Sequence, residues 1–135
     1  MIILLDTNAC IGMITRRKPA IRRRLYDALD NKHTVMVPSV TCFEFWFGAA
    51  NSARIEANEQ AISYFLEDFD ILPFDGEDAR MAGSIRSALK QKGTPIGTYD
   101  VLIAAQTLRR DGLLVTANVR EFSRVPHLRL ENWET

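Results

Sequence analysis

The sequence predicts a single α/β domain spanning residues 1–135, with a central parallel sheet of four to five short strands flanked by helices. Three observations predict it. Ile2–Leu5 is an unbroken apolar run, which reads as a strand buried on both faces in the middle of a parallel sheet. Further short apolar runs alternate with segments of helical periodicity. At 135 residues, 47% of them apolar and 25% charged, the chain has the size and composition of one domain with its own core.

The elements follow in order. Asp6, Thr7 and Asn8 end the first strand and can cap a short helix over residues 8–15. Pro19 suits the first turn of a second helix to about Leu29, with Ile21, Leu25, Ala28 and Leu29 at helical spacing. Thr34–Val37 is a β-branched strand stopped by Pro38. Ser39 can cap a helix from Val40 to about Ala50. On that helix Glu44 shares a side with Val40, Phe47 and Gly48, and Cys42, Phe45, Trp46 and Ala49 lie opposite. A helix apolar on both sides needs two covers, the sheet and either another helix or a partner chain. Glu44 is then an acid on a largely buried helix, costly unless neutral, paired or metal-bound.

Residues 54–68 carry a helical stripe of Ile55, Ala61, Ile62, Phe65 and Leu66, and Ile71–Pro73 is a short strand. Asp75 and Asp78 form a capping pair for a helix to about Gln91. Gly93, Pro95 and Gly97 mark a loop. A helix runs from about Asp100 to Arg110 and ends at Asp111-Gly112. Leu113–Thr116 is another apolar strand, Val119–Ser123 one helical turn, and Leu128–Leu130 a final strand.

Charge and cysteine usage narrow the function. The formal net charge is zero, which argues against gripping nucleic acid by bulk charge. The distribution is uneven, however: Arg16, Arg17, Lys18, Arg22, Arg23 and Arg24 form a basic block able to track an RNA backbone or simply face water. Cys10 and Cys42 lack redox or zinc spacing and read as reduced core thiols. No apolar run has the length of a membrane span, and the expected location is cytoplasmic.

Three acids stand out by position: Asp6 after the first strand, Glu44 on the helix after the second, and Asp100 at the start of the helix before Leu113. Asn118 and Glu121 follow that late strand. Each has an ordinary reading, as helix cap, turn residue or surface acid. Together they converge on the carboxyl edge of the sheet, where ligands bind in open α/β folds. Clustered acids raise one another's pKa unless a cation lies among them. Oxygen ligands without histidine or cysteine suit Mg²⁺ or Mn²⁺. Such a site suits phosphodiester hydrolysis.

The segments IILLDTN, SVTCFEFWFGA, PIGTYDVLIAA and LLVTANVREF, with LRLENW at the end, resemble PIN-domain ribonucleases, most closely the VapC toxins of bacterial toxin–antitoxin pairs. The resemblance covers almost the whole chain and implies a Mg²⁺-dependent endoribonuclease. It implies metal binding by Asp6, Glu44 and Asp100, with Thr7, Asn8 and Thr116 in support. Asn118 stands where many PIN domains carry a fourth acid, and Glu121 can supply the missing charge. The expected reaction is in-line attack of water, leaving a 5′-phosphate and a 3′-hydroxyl. The expected substrate is RNA cut in a single-stranded loop, with transfer RNA, and initiator tRNA in particular, the favoured target.

The resemblance further implies a homodimer, silencing by a VapB-type antitoxin, and operator DNA reached only through that antitoxin. Phe43, Phe45, Trp46 and Phe47 are the expected antitoxin or dimer interface. Two other classes compete. One is a non-catalytic partner in a DNA-binding repressor complex, against which the intact acids argue. The other is a phosphatase or receiver-like fold, against which Asp-Thr-Asn and the lack of a lysine after a late apolar strand argue.

Overall fold

The computed structural model describes residues 1–135. Its strands are β1 (Ile2–Leu5), β2 (Thr34–Pro38), β3 (Asp70–Leu72), β4 (Leu113–Val115) and β5 (Arg129–Glu131). They form one all-parallel sheet in the order β3-β2-β1-β4-β5. Seven helices connect them: α1 (Thr7–Ile14), α2 (Pro19–Asp30), α3 (Ser39–Ala50), α4 (Ile55–Leu66), α5 (Gly76–Gln91), α6 (Thr98–Arg109) and α7 (Val119–Phe122).

The apolar run at residues 2–5 becomes the central strand because only there do both of its faces find cover. Ile3 and Leu5 point into a core with Val35, Val37, Met13, Leu25, Phe45 and Phe65, under α1 to α4. Leu4 and Leu114 point the other way, toward Ile85, Leu89, Ile103 and Phe122 under α5 to α7. The chain builds outward from β1 to β2 and β3, then returns to place β4 and β5 on the other side. The strand order therefore reverses between β1 and β4, which opens a crevice at their carboxyl ends.

Two details depart from the sequence reading. Ser39 does not cap α3; Pro38 ends β2 against Leu72, so the helix starts one residue early and Ser39 lies inside its first turn. The Ser39 hydroxyl instead accepts from the Phe74 N–H at 3.1 Å and ties down the β3–α5 connection. Phe45, expected at an interface, lies in the core of this chain instead. It is 5% exposed and meets Phe65 edge to face, with centroids 6.3 Å apart. The Cys42–Phe45–Ala49 stripe faces the core, which turns Phe43, Trp46 and Phe47 outward at 50%, 38% and 63% exposure.

Asp75 and Asp78 form the expected capping box at the start of α5. Asp78 also pairs with Arg109 and Arg110 at the end of α6, at 2.9 and 2.8 Å, which fastens the α5–α6 hairpin at one end. Cys10 and Cys42 are buried and free, and burial pushes both thiols up, away from the reactive thiolate form. No helix is long and apolar enough to cross a membrane.

Gly112 enters β4 so tightly that a Cβ there would lie 2.9 Å from the Ile2 carbonyl oxygen. Gly112→Ala is expected to lower stability by about 1–3 kcal/mol, measured by urea unfolding, since backbone rather than a flexible side chain must yield.

Candidate active site

The crevice at the β1–β4 switch point collects the acids. Asp6 is the N-cap of α1: its Oδ1 accepts from the Ala9 N–H at 2.8 Å, and its own N–H donates to the Val115 carbonyl at 3.1 Å. It is therefore both a cap and a site acid, stitched to both central strands. Burial pushes its carboxyl up. Hydrogen bonds from Thr116 and Ala9 draw it back, and the Glu44 and Glu134 carboxylates push it up again, so that it ends above its ordinary value. Thr116 is buried, and its hydroxyl also accepts from the Asn118 N–H at 2.9 Å.

Glu44 projects from α3, half-buried, and its Oε1 accepts from the Thr7 hydroxyl at 2.6 Å. Thr7 thus links the first turn of α1 to α3 and sets the second acid against the first. Thr7→Val is expected to release Glu44 and slow RNA cleavage about tenfold, checked by initial rates with the melting temperature as control.

Asp100 is the third residue of α6. It does not cap that helix; Gly97 is the N-cap, with no side-chain cap bond. Burial and the carboxylates of Glu44, Asp6 and Glu121 push Asp100 up to about 6. Glu121 accepts at Oε2 from the Asn118 amide Nδ2 at 2.9 Å, which leaves the Asn118 carbonyl oxygen as that side chain's acceptor. Asn8 is exposed on the first turn of α1.

None of Asp6, Glu44, Asp100 and Glu121 is in a salt bridge, and each of the others raises Asp100. These are carboxylates crowded without a counter-charge, and their donor atoms are all hard oxygens. That chemistry fits a divalent cation such as Mg²⁺. As the side chains stand, no three of the chain's acids, histidines or cysteines close directly on one point. Mg²⁺ does not require it, since it keeps several waters and takes one or two carboxylates directly.

Two residues of the site escaped the sequence reading. A Cβ on Gly97 would lie 3.1 Å from Asp100 Oδ2, so a side chain there would press on the end of that carboxylate and shift it by a few tenths of an ångström. The signal was present as a glycine three residues before the acid. Gly97→Ala is expected to slow cleavage by about ten- to a hundredfold, with the fold retained by circular dichroism. Glu134, whose charge reaches Asp6, arrives from the carboxyl tail, and nothing local announces it.

The basic block is not one free surface. Arg24 pairs with Glu131 at 3.3 Å, donates to the Thr135 carbonyl at 3.2 Å and stacks over Trp133. Lys18 pairs with Glu134 at 3.0 Å, and Arg22 reaches the Met13 carbonyl at 3.5 Å. Arg16, Arg17 and Arg23 are exposed.

The parallel sheet with acids gathered at its switch point is the frame of a PIN domain here, because residues 3–128 match that domain. The chain belongs to the PIN-domain family, in its VapC ribonuclease branch. It is 37% identical to the tRNA(fMet)-specific endonuclease VapC of Salmonella typhimurium over 130 residues, 96% of each chain. It is 34% identical to the ribonuclease VapC2 of Rickettsia felis over 134 residues, 99% of each. Its fold matches a chain in the crystal structure of VapBC2 from Rickettsia felis bound to a promoter DNA fragment, with a TM-score of 0.92 over 98% of this chain and 99% of that one.

Proposed function

We propose that the protein is a Mg²⁺-dependent endoribonuclease toxin, able to use Mn²⁺, that cuts RNA at a single-stranded position and is silenced by a VapB-type antitoxin. The observation that carries this reading is the group of four carboxylates held at the β1–β4 crevice with no cation of the protein's own to neutralise them. Asp6, Glu44 and Asp100 would hold the ion, with Glu121 and the Asn118 carbonyl flanking it. When bound, the ion supplies Lewis acidity toward the phosphate and lowers the pKa of water. The protein's own residues do the positioning. Thr7 sets Glu44, and Thr116 and the Ala9 amide set Asp6. Neither His33 nor His127 belongs to the site, so no histidine base is assigned. The products are expected to carry a 5′-phosphate and a 3′-hydroxyl.

The favoured target is transfer RNA, initiator tRNA above all, in keeping with the 37%-identical relative of that named specificity. The deciding experiment is cleavage of total bacterial RNA by the antitoxin-free protein, with Mg²⁺ or EDTA, beside Asp6→Ala. A discrete fragment requiring both Mg²⁺ and Asp6 supports the reading, and mapping its ends identifies the target. Cleavage indifferent to Asp6, or ends bearing a 2′,3′-cyclic phosphate, contradicts it. Absence of any cleavage favours a non-catalytic role in an antitoxin–DNA repressor complex.

Two surfaces suit partners. A groove of about 880 Å³ between α1, α2 and α4 has an apolar floor including Met13, Leu25 and Phe65, with Arg16 and Arg22 on its rim. An apolar antitoxin segment with acidic flanks fits it. The exposed rings of Phe43 and Phe47, with Tyr99 5.3 Å from Phe43, suit a second copy of the chain. Phe43→Ala with Phe47→Ala is expected to shift the protein from dimer to monomer in light scattering, while Tyr64→Ala in the groove weakens antitoxin capture instead.

A further inference from the structure

The three acids of the crevice are not held alike. Asp6 is fixed by the Ala9 N–H at 2.8 Å and Glu44 by the Thr7 hydroxyl at 2.6 Å. Asp100 takes no hydrogen bond from the protein, and α6 begins at Gly97 without a side-chain cap. Its place therefore depends on how the start of α6 is docked. On one side the Tyr99 ring lies 5.3 Å from that of Phe43, which lays the first turn of α6 along the helix that carries Glu44. On the other side stands the α5–α6 loop, residues 92–97, which turns at Gly93 (φ 70°) and is mostly exposed.

That loop makes a single hydrogen bond outside its own hairpin: Arg124 Nη1 donates to the Pro95 carbonyl at 2.9 Å. The arginine itself stands on firm ground. Phe122 and Val125, both buried, anchor the turn on either side of it in the core under α5 to α7. Its own N–H donates to the Glu121 carbonyl at 3.0 Å, so it follows directly on the acid that Asn118 holds. Arg24, Arg109, Arg110 and Arg129 all pair with carboxylates, whereas Arg124 pairs with none and gives its bond to a neutral carbonyl. That one bond joins the segment leading into Asp100 to the turn that carries Glu121.

We propose that Arg124 is a positioning residue for Asp100: by fastening Pro95 to the anchored turn after α7, it fixes the α5–α6 loop and, through it, the reach of the Asp100 carboxylate toward the ion. This rests on the ribonuclease reading of the site. In this role the guanidinium touches neither ion nor RNA. Its charge works against the ion, since a cation beside the crevice repels Mg²⁺, so its contribution to Mg²⁺ binding comes from geometry alone. The two effects have opposite signs. Removing only the charge tightens Mg²⁺ binding; releasing the loop weakens it.

The test combines calorimetric titration with Mg²⁺ and steady-state cleavage of a labelled single-stranded oligoribonucleotide. Arg124→Met keeps the side-chain stem and removes its donors. It is expected to weaken the Mg²⁺ Kd about three- to tenfold and to lower kcat by a similar factor, with KM changed less than about twofold. Arg124→Lys, whose ammonium can still donate to the Pro95 carbonyl, should recover most of both losses. On an Asp100→Asn background, Arg124→Met should change neither the Kd nor the residual rate further, because its effect runs through that carboxylate. Circular dichroism checks the fold, and Arg124→Gln, too short to reach Pro95, replaces Arg124→Met with the same expectations if that variant is unfolded. A folded variant with an unchanged or tighter Mg²⁺ Kd overturns the proposal. So does a raised KM with a flattened salt dependence and an unaltered Mg²⁺ Kd, which would make Arg124 an RNA contact instead. If the parent binds Mg²⁺ but cleaves no RNA, the ribonuclease reading fails, while the Kd values still decide the tether; a parent that binds no Mg²⁺ overturns both.

Discussion

Asp100→Asn is expected to cut RNA at least about a hundredfold more slowly than the parent and yet, in EDTA at pH 7.5, to melt at a higher temperature. Both effects come from one carboxylate. Burial and the neighbouring acids raise Asp100 from 3.8 to about 6 in the fold. The folded state thus binds its proton more tightly than the unfolded state does. Below pH 4 both states are protonated and Asp100 adds no penalty. Between about pH 4 and 6 the unfolded chain ionises first and stability falls; above 6 the penalty is complete. For a half-exposed group, discounted for solvent screening, it amounts to about 1 kcal/mol, a few degrees of melting temperature. The amide removes it. The gain should vanish at pH 4, and millimolar Mg²⁺ should raise the parent's melting temperature more than the variant's. A variant less stable than the parent at pH 7.5 in EDTA would mean that the carboxylate supports α6, and the crowding account of the site would fail.

Asp78→Ala should do the reverse, lowering stability by about 3 kcal/mol without touching the crevice. Asp78 has no exposed surface, yet it is charged. Burial pushes its carboxyl up, but hydrogen bonds from Arg110, the Asp75 N–H and Arg109 outweigh that and hold it down at about 2. Removing it strips the α5 capping box and leaves the partly buried Arg110 guanidinium without its carboxylate, while Arg109 keeps only Asp75. The sign of the pH dependence is opposite to that of Asp100. A lowered folded pKa stabilises above pH 4, and the contribution is lost as pH falls from about 4 to 2. Urea unfolding at pH 7 and pH 2.5 measures it: the gap between parent and variant should be wide at the first and mostly closed at the second.

What could be read from the sequence was whatever is written locally. The run at residues 2–5 has no alternation, and a strand with two apolar faces has one place in a sheet. The Asp75–Asp78 spacing is a capping box by itself. Asp6, Glu44 and Asp100 could be picked out because each adjoins an element end or breaks an apolar helix. The aromatic helix was legible only in part. Periodicity could show that Phe45 and Phe47 point apart, but not which side the sheet takes; Phe65 on α4 decides that, and α4 is remote in the chain. Ser39 looked like a cap because the pairing of Pro38 with Leu72 is a long-range fact. The tail that brings Glu134 toward Asp6 depends on one tryptophan finding a core over a hundred residues away.

The reversal of strand order between β1 and β4 also sets when the catalytic edge can exist during synthesis. Asp6 directly follows a strand made early, but its N–H bonds to Val115, and the hydroxyl that steadies its carboxylate belongs to Thr116. Until those residues clear the ribosome, β1 has β2 on one side and nothing on the other. A nascent chain carrying the first acid therefore lacks Asp100, the Thr116 support and the wall formed by β4. Nuclease competence arrives late and all at once, after the long-range pairing that is the slowest kind of contact to make.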